Sequence, residues 1–198
     1  RVLREVDESG EKEYTMPMWT RIKRKQILDE FHAIPKTNRE AREKVLEKAH
    51  GIDEITKQYL LQQDVAVSVD GMGELSSRYA LLTPPESLVT PETKDLPPIV
   101  LIPALNADLY GDASLAKELA SRGRTVLFIA QPESYLGKTN DSYLQAIENG
   151  TGQEPHVAYF KAVIEKLSAE LLPDAEKIDL WGYSFGGAIV GGFLGFLA

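Results

Sequence analysis

Along the chain the spacing of apolar side chains changes from irregular to helical, and from helical to alternating. Residues 1–17 are polar, charged and aperiodic, which predicts a loose tail. Trp19, Ile22, Ile27, Leu28 and Phe31 then recur at helical spacing as far as Pro35. Thr37 with Glu40 has the form of a capping box, so a second helix is expected from there, with Gly51 suited to end it. Ile55, Tyr59 and Leu60 mark a third helix over 53–62. From Asp64 to Asp70 polar and apolar residues alternate strictly, the mark of a strand with one face buried. Asp70-Gly71 opens a turn, and Ser77–Leu82 supplies the partner strand of a hairpin. Five of the eleven prolines fall within 83–98, which predicts an extended surface loop.

Beyond Ile99 the pattern becomes that of repeated βαβ units. Ile99–Ile102, Thr125–Ala130 and Ile178–Trp181 are short, mostly apolar runs without alternation, as expected of parallel strands covered on both faces. Helices are expected over Asp112–Ser121, around Asp141–Glu148, and over His156–Leu172, where Pro173 stops the pattern. The segment Gly186–Ala198 is apolar and rich in glycine. Strands alternating with helices at this spacing predict an α/β fold with a mainly parallel sheet of about five strands and flanking helices. The expected organisation is a helical extension over 1–63 and an α/β domain over 64–198.

Composition narrows the function classes. With 43% hydrophobic and 26% charged residues the chain can bury a core. The formal net charge is −8, and residues 61–198 hold 9 basic against 18 acidic side chains, so nucleic acid is not an expected partner. Cysteine is absent, which removes disulfides, thiolate metal sites and cysteine nucleophiles. No apolar stretch reaches the length of a membrane span, and no signal peptide is visible, so a cytoplasmic location is the expectation. Neither a cofactor nor a metal site is implied. The basic cluster Arg21, Lys23, Arg24 and Lys25 reads as a solvated helix face.

Chemistry concentrates in Gly182-Tyr183-Ser184-Phe185-Gly186-Gly187, a G-x-S-x-G string directly after an apolar strand and before an apolar helix. A serine presented on so sharp a turn needs a strained backbone, and glycines two residues to either side remove the side chains that would collide there. The hydroxyl then stands at a strand end above the positive end of a helix, where backbone N–H groups can stabilise an oxyanion. The alternative is a glycine-rich turn that only packs a helix tightly on the sheet.

Residues 64–198 resemble the α/β-hydrolase superfamily on this string and on the order of strands and helices around it. The resemblance implies that Ser184 is the nucleophile and that the Phe185 N–H is one oxyanion donor. It puts the second donor in the loop after Ile99–Ile102, where Pro103-Ala104 replaces the family's usual His-Gly pair. That alignment assigns the donor to Leu105, with Asn106 next to it as the alternative. Gln131-Pro132-Glu133 followed by Gly137-Lys138-Thr139 resembles the family's turn after its fourth strand only loosely. The implied partner is a small-molecule or acyl substrate such as an ester or thioester, and the oligomeric state is left open.

A serine nucleophile needs a base, and the base needs an orienting acid, in the family's order Ser, Asp or Glu, His. The 14 residues after Ser184 contain neither an acidic residue nor a histidine. His32, His50 and His156 all lie upstream, and His156 is expected as an exposed residue at a helix start. The expectation is therefore an N-terminal fragment of a serine hydrolase, inactive by itself. Its rival is a non-catalytic α/β-hydrolase-like binding or interaction protein. Gly187, Gly191 and Gly195, spaced by four, read as a helix face packed closely on the sheet rather than as a membrane dimer motif.

Overall fold

The computed structural model describes residues 3–7, 10–14, 18–35, 38–48, 52–104, 113–131 and 154–196. The expected helix at 141–148 and the donor position Leu105 lie outside them. Contacts divide the chain into two units, Arg1–Asp53 and Glu54–Ala198.

The first unit begins with a hairpin where a loose tail was expected. Strands β1 (Leu3–Asp7) and β2 (Gly10–Tyr14) pair antiparallel, with Asp7 opposite Gly10. The register sets Arg4 opposite Glu13 and Glu5 opposite Lys12, residue pairs of opposite charge. Helices α1 (Met18–Ala33) and α2 (Arg39–Glu47) follow. Asn38, not Thr37, caps α2, its side chain accepting from the Ala41 N–H at 3.2 Å. Asparagine ranks above threonine at that position. Phe31 is fully buried, with the Arg42 guanidinium 4.0 Å above its ring.

The second unit is a mixed α/β domain. Helix α3 (Glu54–Leu60) opens it and packs on the sheet, although its sequence reads as part of the N-terminal helices. Strands β3 (Gln63–Val69) and β4 (Gly73–Leu82) form the hairpin, turning at Gly71 with φ 75°. The segment expected as an extended loop carries a single turn of 3-10 helix and a one-turn helix, α4 (Pro91–Lys94), capped through Thr90 and Thr93. Then come β5 (Ile99–Ile102), α5 (Ala113–Ser121), β6 (Val126–Ile129), α6 (Glu154–Leu171), β7 (Asp179–Gly182) and α7 (Phe185–Phe196). The sheet order is β3-β4-β6-β5-β7, with β4 antiparallel to its neighbours and β5 parallel to both β6 and β7.

Residue parity explains why the central strands are apolar throughout. Val100, Ile102, Leu127 and Ile129 face one core with Tyr159, Phe160 and Val163 of α6 and with Phe185 and Ile189 of α7. Ile99, Leu101, Val126 and Phe128 face the other, with Ile55 and Tyr59 of α3 and Ala116 and Ala120 of α5. Each Val, Leu, Ile or Phe among them stabilises the fold by about 1.5–3 kcal/mol on burial. By contrast β3 buries only alternate residues, which is why its sequence alternates. This two-faced α/β sheet is the architecture the sequence pattern predicts.

Candidate functional site

Strands β5, β6 and β7 run parallel, so their C-terminal ends lie along one edge of the sheet. Such ends are where open α/β sheets build their sites, because the loops leaving neighbouring strands converge there. Three short segments meet the description: Pro103-Ala104 after β5, Ala130-Gln131 after β6, and Tyr183-Ser184 after β7.

Ser184 has φ 52°, and among the described residues it is the one non-glycine in the left-handed region. That conformation costs a residue with a Cβ roughly 1–3 kcal/mol unless its surroundings impose it. Here they do. A Cβ on Gly182 would overlap the Gly186 carbonyl, and a Cβ on Gly186 would overlap the Ile102 carbonyl oxygen. The backbone thus doubles back between β7 and α7 at a distance only glycine permits, and the turn is pressed onto the end of β5. Hydrogen bonds fix it: Gly186 N–H donates to Tyr183 C=O at 2.9 Å, and Gly187 N–H to Ser184 C=O at 2.9 Å. Ser184 itself is exposed, as are Tyr183 (61%) and Trp181 (42%).

Phe185 occupies the first turn of α7, where N–H groups have no acceptor within the helix and the helix dipole is positive. Its ring is buried and meets the His156 ring edge-on, with centroids 5.1 Å apart. His156 therefore differs from its expected exposed setting: it is 4% exposed, because α7 docks over the start of α6. Burial lowers its pKa to about 4, so the imidazole is neutral at pH 7. Among the described residues no side chain hydrogen-bonds the Ser184 hydroxyl, and no group of three or more His, Asp or Glu is placed to hold a metal.

The close approach of α7 falls at a different glycine from those the four-residue spacing singles out. Gly191 faces open space, whereas a Cβ on Gly192 would stand 2.7 Å from Val157 Cγ2 of α6. The contact is therefore helix against helix, one position off the expected face.

Gln131, a residue to which the sequence pattern assigns no chemistry, is fully buried at this edge. Its Nε2 donates to the Ala104 carbonyl at 3.1 Å. Ser77 Oγ lies 2.8 Å from the Ala130 carbonyl and 2.9 Å from that of Gln131, and Tyr159 Oη donates to Ala130 at 3.4 Å. The available signal was a polar residue two positions past the all-apolar strand β6.

No family model matches the chain, and no curated protein matches it. Among solved structures it is similar to a novel cold-adapted esterase from an Arctic intertidal metagenomic library, determined as a PEG-bound complex, at 19% identity and a TM-score of 0.41. The match covers 63% of this chain and 51% of the esterase, so the chain spans about half the length of that protein. No described helix is long and apolar enough to cross a membrane.

Proposed function

We propose that this chain carries the nucleophile and the oxyanion hole of a serine hydrolase that transfers an acyl group to water. One observation carries the reading: an exposed serine held at φ 52° between two glycines that have no room for a side chain. Strain of this kind persists only where the surroundings over-determine it, and such positions cluster at reactive sites. Ser184 Oγ attacks the acyl carbonyl carbon and gives its proton to a base. The carbonyl oxygen, now negative, is held by the Phe185 and Leu105 N–H groups. Collapse of the intermediate expels an alcohol or thiol that takes up the proton, and water then repeats the sequence to free the acid and restore Ser184. Removing one such donor typically costs about 10²–10³ in turnover.

The contact of Gly186 with the Ile102 carbonyl supports this arrangement, since it brings the serine turn against the strand from which the second donor is expected. The base is a group outside the described residues, and the resemblance implies a histidine oriented by a carboxylate. The test is an alkyl fluorophosphonate probe on the full-length protein beside its Ser184→Ala variant. The expected result is one phosphonyl adduct on the peptide holding Ser184 and none in the variant. An unlabelled Ser184 in the folded parent protein overturns the reading in favour of a non-catalytic binding role.

A further inference from the structure

We propose that Tyr183 and Trp181 form the surface on which the acyl chain of the substrate lies, so that esters of extended, apolar acyl groups are selected over acetates. This rests on the hydrolase reading above. The register sets Trp181 beside Leu101 in the parallel ladder, and Leu101 faces the core that α3 and α5 cover. Side chains alternate along a strand, so Tyr183, two residues on, leaves the end of β7 toward that same face. Its N–H still donates to the Ile102 carbonyl at 3.4 Å, which keeps it in the ladder. The next residue is Ser184.

Coverage sets the two rings apart from their neighbours. On this face Leu101 and Phe128 are buried, whereas Trp181 and Tyr183 stand exposed. Leu180, on the opposite face of β7, packs against the core that α6 and α7 cover. Neighbouring exposed apolar side chains mark binding surfaces where single ones do not, and Tyr and Trp offer large contact areas while ordering few torsions. The backbone beneath the rings is pinned as well. Asp179 N–H donates to the Pro98 carbonyl at 2.9 Å, and the Asp179 carboxylate is held by Arg124 at 2.7 Å.

The occupant follows from the chemistry. In the acyl-enzyme the acyl group is bonded to Ser184 Oγ, one residue from Tyr183, and the alcohol or thiol has departed. An apolar acyl chain is thus tethered beside the rings, and its contact with them is intramolecular. Tyr183 and Trp181 lie roughly 6–7 Å apart along the strand. A short chain therefore meets Tyr183 first, and only a longer one extends to Trp181.

The test measures kcat/KM for p-nitrophenyl acetate, butyrate and octanoate with the full-length parent, Tyr183→Ala, Tyr183→Phe and Trp181→Ala, beside fluorophosphonate labelling of Ser184. The leaving group is constant, so ratios between these esters report recognition of the acyl chain alone. Tyr183→Ala should lower the butyrate-to-acetate ratio and cut the octanoate-to-acetate ratio about 10-fold. Tyr183→Phe, which keeps the ring, should restore the parent ratios. Trp181→Ala should lower the octanoate-to-butyrate ratio but not the butyrate-to-acetate ratio. Ratios that stay at the parent values in Tyr183→Ala, or kcat/KM values that fall by one common factor for all three esters, overturn the acyl surface; with Ser184 labelled, they leave the hydrolase reading intact. An unlabelled parent Ser184 overturns both.

Discussion

Gly186→Ala tests the serine turn through stability, without reference to any substrate. The added methyl would overlap the Ile102 carbonyl oxygen, which belongs to a fully buried strand paired on both sides. Neither partner can yield as the end of a flexible side chain would, so the change acts as core overpacking, which costs about 1–3 kcal/mol and more in rigid settings. Helix propensity works the other way, since alanine is better than glycine by up to about 1 kcal/mol. The difference leaves a net loss of about 2 kcal/mol, or a fall in Tm of about 4–8 °C for a domain of this size. Gly191→Ala is the control within the same helix. Its Cβ would meet nothing within 4 Å, so only the propensity gain remains, and Tm should rise by about 2–4 °C. Gly192→Ala should fall between them, because its obstacle is Val157 Cγ2, which can rotate away. Urea and thermal unfolding of the three variants at matched m-values would measure this order. A Gly186→Ala protein as stable as Gly191→Ala would refute the claim that the turn is pressed onto β5.

Two further outcomes follow from the same region. Replacing Ser184 by glycine should relieve the positive φ and raise stability by about 1 kcal/mol, whereas Ser184→Ala, which keeps a Cβ, should not; equal unfolding midpoints for the two would count against strain at this position. His156 binds its proton more weakly folded, with a pKa of about 4, than unfolded at 6.5, so between these values the unfolded chain holds more protons. Its contribution is therefore complete above pH 6.5 and is lost as pH falls towards 4. His156→Phe, which keeps an aromatic ring against Phe185, should flatten that part of the profile of urea midpoint against pH, and an unchanged slope would refute the assignment.

What the sequence reveals about the fold depends on how each segment meets water. Strands β5 and β6 are buried on both faces, so their apolar runs are unambiguous, and β3 is buried on one, so it alternates. The β1–β2 hairpin carries no such signal: charged residues occupy successive positions of both strands, so no hydrophobic period of two marks it. Burial of His156 was equally hidden, because it depends on α7 docking against α6, a contact between segments distant in sequence. Gly182 and Gly186 were legible for the opposite reason. Their requirement is local, set by a turn only five residues long, and a side chain at either position has nowhere to go.

The serine conformation also has to be held in place from outside the turn. On one side β7 is paired, among the described residues, with β5. On the other, α7 is fixed to α6 by the His156–Phe185 ring contact and by the approach of Gly192 to Val157. A turn that stores about 1–3 kcal/mol of strain relaxes if either support slackens. The ladder between β7 and β5 is four residues long, and the α6–α7 seam adds a second restraint. The aromatic contact beside Ser184 is thus part of what keeps the hydroxyl exposed, although neither ring bonds to it.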